Sequence, residues 1–184
     1  MSDVKDKAEA VIRFWLEETP AAKRFTVDPR LDAEIGGRFR DVIEDVAENR
    51  ASGWRDDPRS LLAAIILTDQ FPRNLYRGTS RAFATDGLAR ELTNLALDKG
   101  WDAGMSQQER QFLYMPLMHS ETLGDQRRSV ALYERLGLVE AADFAVRHHD
   151  QVARFGRFPG RNTALGRADT PEETEFLKEP GSHF

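Results

Sequence analysis

SLLAAIILTDQ, residues 60–70, decides the fold class. Leu61 to Leu67 is the longest purely apolar run in the chain, and it falls far short of the ~20 residues that span a bilayer. Asp57-Pro58 stands just upstream as an N-cap with proline at the first helical position. The stretch therefore reads as a helix that is apolar on every side and passes through the centre of a core. Phe71-Pro72 is expected to end it, with a loop rich in Arg, Asn and Gly beyond.

Working outward, the same punctuation repeats. Upstream, Val4, Ala8, Val11, Ile12, Trp15 and Leu16 share one helical face, behind a Ser2 or Asp3 cap and ahead of Pro20. Asp28-Pro29 starts a second helix that turns Leu31, Ile35, Phe39, Val42, Ile43 and Val46 inward, and Gly36-Gly37 invites a bend in its middle. Downstream, a helix is expected from a Thr85 or Asp86 cap to Gly100. Ser106 and Glu109 form a capping box for QQERQFLYMPLMHSE, which Pro116 should kink. Further helices are expected from about Asp125 to Leu136 and from about Val139 to Phe155, each stopped by a glycine. A short last helix opens at Thr170-Pro171-Glu172-Glu173. No segment alternates with period two, so no sheet is expected. The expectation is an all-α fold: one domain over residues 1–184, an irregular array of about seven to eight helices.

Composition narrows the chemistry. The chain has no cysteine, which excludes disulfides, thiolate catalysis and Cys-based zinc sites. Its first residues mix charges with apolar side chains, unlike a signal peptide, so a soluble cytoplasmic protein with no membrane partner is expected. The net charge is −5, yet residues 147–167 hold five arginines against one aspartate, and residues 69–81 three against one. An acidic body with two Arg-rich patches suits a discrete anion site rather than non-specific nucleic-acid binding.

Three stretches set polar residues beside core segments. In the first, 68–78, Asp69 and Gln70 end the central helix, where an unpaired buried carboxylate would be costly; Arg73 or a more distant arginine is the expected partner, with Asn74 alongside. The second holds His119 and Glu121. A histidine in the last turn of a helix satisfies the helix dipole and is also a place for a general base. The two residues stand roughly 200° apart round a continuing helix and could not share a metal there. The third runs from Arg147-His148-His149-Asp150 through Arg154, Arg157, Arg161 and Asn162, where guanidinium forks suit carboxylate or phosphate. No metal site and no cofactor is implied.

Those stretches also carry a resemblance. TDQFPRNLYRGTSRAFATD (68–86), ERQFLYMPLMHSE (109–121) and RFGRFPGRNTALGRADTPEE (154–173), with FWLEE and VDPRLDAEI near the start, resemble the bacterial domain-of-unknown-function family 924. The resemblance spans nearly the whole chain. It implies a helical fold of the TPR-like superfamily and implies no activity. One position departs from it: Gly160 stands where a histidine would be expected between Pro159 and Arg161. His149-Asp150 with His119 and Asp169 is a looser match to the metal-dependent HD phosphohydrolases, which are also helical.

Three functions are consistent with these residues. One is a binding protein that captures a small anionic ligand or an acidic peptide through Arg154, Arg157 and Arg161, aided by Gln70, Arg73, Asn74 and Asn162. Another is a hydrolase acting on an anionic substrate, with His119 as general base oriented by Asp69 or Glu121. The third is a polar network that only joins helix ends.

Overall fold

The computed structural model describes residues 2–184 and is helical, with no strand among the described residues. No helix among them is long and apolar enough to cross a membrane. The chain separates into two compact units. One runs up to Arg77 and resumes over Arg81–Pro116; the other comprises Gly78–Ser80 and Leu117–Phe184.

In the first unit, α1 (Ser2–Ile12) continues as a π-helical stretch over Arg13–Glu18. The Ser2 side chain falls outside the described residues, so its expected capping role does too; Asp3 sits in the first turn and pairs with Lys7. After α2 (Ala21–Arg24), α3 (Pro29–Glu48) opens where the Asp28 carboxylate accepts from the amides of Arg30 and Leu31. It runs unbroken through Gly36-Gly37, and the reason for glycine is close approach: a Cβ at Gly36 would stand 3.3 Å from Leu75 Cδ2. The central helix α4 (Pro58–Ile65) is capped the same way by Asp57, and its residues 60–65 are all buried.

Two details depart from the expected pattern here. Residues Ile66–Gln70 widen into a π-helix, so the Phe71 amide bonds the Ile66 carbonyl. Pro72 does not end the path either: the chain enters α5 (Phe71–Leu75) directly, because proline is tolerated in a first turn, where its missing N–H costs nothing. Phe71 then reaches the aromatic centre of this unit, 5.3 Å from both the Trp15 and Phe39 rings. The unit is completed by α6 (Asp86–Asp98) and by α7 (Gln107–Met118) as far as Pro116. The Ser106–Glu109 capping box forms, with reciprocal bonds of 2.8 and 3.2 Å.

The second unit holds the end of α7, then α8 (Leu123–Leu136), α9 (Val139–Phe155) and α10 (Pro171–Phe176). Gly137 and Gly156 close α8 and α9 in the left-handed conformation that glycine adopts without strain. The connection between α8 and α9 is short and the two pack together as a hairpin; Leu132, Tyr133 and Leu136 on α8 and Ala145, His148 and Val152 on α9 are buried. α7 stops at Met118, earlier than its sequence pattern suggested. His119–Glu121 are consequently outside the helix, and the 200° separation argued for a continuing helix does not apply to them.

Candidate functional site

The polar residues expected to act together fall in different units. Asp69, Gln70, Arg73 and Asn74 belong to the first; His119, Glu121, Arg154, Arg157, Arg161 and Asn162 belong to the second.

In the first unit Asp69 is fully buried at the end of the π-helical stretch. Gln70 Nε2 donates to Asp69 Oδ2 at 2.6 Å, and Arg73 Nη1 lies 3.5 Å from Oδ1 while donating to the Asp69 carbonyl. Arg73 also forks onto Asp86 at 2.8 and 2.9 Å. Burial works against the Arg73 charge, but Asp69 and Asp86 outweigh it and raise its pKa above the ordinary value. Asn74 donates to Asp32, which also receives Arg77. These groups tie α3, α5 and the start of α6 together, with Thr85 donating to the Thr68 carbonyl instead of capping α6. Asp32 was not singled out in the sequence and Asp86 was read there only as a candidate cap of α6, because an acidic residue in a helix's first turn is ordinary.

In the second unit two neighbouring arrangements form. The first is a lattice of ion pairs around the loop 156–170. Arg157 forks onto Glu173 at 2.6 and 2.7 Å, and Arg154 meets Glu172 at 2.8 Å. Glu173 also accepts from the Thr170 amide as the N3 residue of a capping box. The Arg157 bond, with help from that amide and Asn162, lowers the Glu173 pKa to about 2. Asn162 donates to Asp169, and Arg167 donates to Asn162. Arg167 forks onto Glu121 at 2.7 and 2.9 Å, and Glu121 accepts from the Phe158 amide. Burial alone would raise the Glu121 pKa; Arg167 and the Phe158 amide outweigh it and hold the carboxylate ionised. A carboxylate so engaged is a weak proton acceptor and a structural anchor.

The second arrangement centres on His148, 5% exposed on α9. Its Nδ1 bonds the Phe144 carbonyl at 2.7 Å, which requires the proton on Nδ1 and leaves Nε2 as an acceptor in the neutral ring. The His119 ring lies 6.1 Å away, centroid to centroid. Arg161, 4% exposed, donates to the His119 carbonyl at 2.9 Å and lies 4.2 Å from the centroid of the Phe158 ring. Burial, reinforced by His119, Arg161 and Arg147, depresses the His148 pKa to about 3. Three basic side chains, His119, Arg161 and Arg147, thus act on His148, and of the four His148 and Arg161 are buried. Sequence spacing identified Arg161, His148 and His119 separately. It carried no sign that Arg167 and Glu173 would neutralise the rest of the loop.

His149 Nδ1 lies 3.0 Å from Asp150, its neighbour on α9. Among the described residues no group of three or more His, Asp or Glu side chains is placed to hold a metal ion.

Residues 11–181 match the family described as "Bacterial protein of unknown function (DUF924)". A solved structure, the protein of unknown function ATU0120 from Agrobacterium tumefaciens, is similar at 39% identity with a TM-score of 0.90, over 95% of this chain and 98% of that one. No curated protein matches.

Proposed function

The chain belongs to the DUF924 family of bacterial proteins of unknown function, and we propose that its second unit binds a small anionic ligand at His119, His148, Arg147 and Arg161. The observation that carries this reading is the set of basic groups that act on the buried His148: Arg161, itself 4% exposed, Arg147 and His119. An oxyanion beside His148 would meet the Arg161 and Arg147 charges together.

The reading moves the expected site. Arg154 and Arg157 were candidate anion contacts in the sequence, and both now hold carboxylates of α10. They support the loop that carries Arg161. The ligand class stays phosphate or carboxylate, the carboxylate of an acidic peptide included.

Calorimetric titration with inorganic phosphate tests this. Saturable binding is expected, weakened about tenfold in Arg147→Gln, the loss expected of one charge-assisted contact. Absence of heat at millimolar phosphate would refute it. A second reading, that the polar groups only join helix ends, is favoured by the ion pairs of Arg154, Arg157 and Arg167, and predicts that absence.

A further inference from the structure

The buried position of His148 is made in part by the residues that follow α10. Pro180-Gly181 turns the chain, with Gly181 at φ +75°, where an added Cβ would collide with Arg147. Ser182–Phe184 then run without regular structure beside α9. Two α9 side chains one turn apart hold this strap by its backbone: Arg147 Nη2 donates to the Gly181 carbonyl and Gln151 Nε2 to the Ser182 carbonyl, each at 3.2 Å. The Phe184 ring lies flat on the His148 imidazole, with centroids 3.8 Å apart and planes 24° apart. Phe158 and Phe144 meet it at 6.4 Å, and the Arg147 guanidinium lies 5.5 Å from its centroid.

Gly160 fits the same description from the other side. A Cβ there would come within 3.1 Å of His183 Cα and 3.3 Å of the Phe184 amide nitrogen, so a side chain at residue 160 would press on the strap backbone and require it to shift.

We propose that Ser182–Phe184 form a displaceable strap that gates the anion site. This rests on the functional reading above and adds its regulation. With the strap in place, Phe184 covers His148, and Arg147 is committed to the Gly181 carbonyl and the Phe184 ring. When it leaves, the imidazole face is uncovered and Arg147 is released toward an incoming oxyanion. The segment forms no element of regular structure: Ser182 and His183 bond back to Leu177, and the hold on α9 is through the Arg147 and Gln151 side chains and the Phe184 ring rather than a ladder of backbone bonds. A ligand that binds only the open form pays for opening, so its apparent affinity is reduced by the open fraction.

Two variants separate the strap from the site. Phe184→Ala removes the ring that covers His148. Gly160→Ala leaves Phe184 intact and pushes the strap backbone away. Carbethoxylation of His148, followed by peptide mass mapping with His149 as the internal reference, reads exposure; phosphate calorimetry reads gating. Both variants should raise His148 reactivity by about tenfold or more and tighten phosphate binding in parallel, as for a strap closed roughly nine-tenths of the time. Unchanged His148 reactivity in both variants overturns the strap. Raised reactivity with phosphate affinity equal to wild type overturns the gating. If none of the three proteins binds phosphate, the anion reading itself fails, and raised reactivity would still establish the strap.

Discussion

Glu173→Gln isolates the electrostatic part of the lattice that supports the candidate site. Gln keeps the N3 position of the capping box and nearly the same volume, so the charge is lost together with one of the two oxygens that accept from Arg157. Glu173 is 2% exposed and its pKa falls from 4.5 to about 2. At ~1.36 kcal/mol per unit this corresponds to about 3 kcal/mol for a sealed pair. The Arg157 side chain, 27% exposed, reaches solvent, and screening reduces the expected contribution to about 1–2 kcal/mol. The sign follows from proton binding. Between pH 4.5 and 2 the unfolded carboxylate takes a proton that the folded one refuses, so the contribution is complete above the unfolded pKa and disappears as pH falls through the folded one. Urea unfolding followed by circular dichroism should therefore show wild type more stable than Glu173→Gln by about 1–2 kcal/mol at pH 7. The gap should close steadily below pH 4.5. A gap that is absent at pH 7, or that persists unchanged at pH 2, would refute the assignment.

Further outcomes follow from the same geometry. Arg73→Ala leaves the buried Asp69 carboxylate without its nearest cation and should cost about 3–5 kcal/mol in urea unfolding; a loss below 1 kcal/mol would mean the pair is not structural. Asp57→Ala removes the acceptor for two amides of α4 and should cost about 1 kcal/mol, with Asp57→Asn close to neutral. His148 should stay neutral in proton NMR titrations down to about pH 3. Because the unfolded imidazole protonates near 6.5, that residue should make the fold lose stability as pH falls through that interval, and His148→Phe should remove this component of acid sensitivity.

How much of this was legible in the chain depends on the range of each interaction. The Asp57-Pro58 start, the Ser106–Glu109 and Thr170–Glu173 boxes and the glycine stops at 137 and 156 are set by residues within four positions, and the structure has each where local chemistry put it. The π-helical widening at Ile66–Gln70 was not legible, because no local residue signal in 66–70 marks it. The end of α7 was misplaced for a similar reason. Gln126 donates to the Met118 and Ser120 carbonyls from α8 and supplies a C-terminal cap from another helix. At the candidate site, charge clustering pointed to residues 147–167. It could not show which of these arginines meet carboxylates of α10, as Arg154 and Arg157 do, and which lie near His148. That distinction is a matter of distances between segments, and residue types do not carry it.

The central claim is that an anion has a place among His119, His148, Arg147 and Arg161, and amide chemical-shift mapping during phosphate titration tests it most directly. The account predicts saturable shifts concentrated at residues 119–121, 147–151, 158–162 and 181–184, with α4 and α6 unmoved. Shifts spread over exposed arginines on both units without saturation, or no shifts at all, would contradict it.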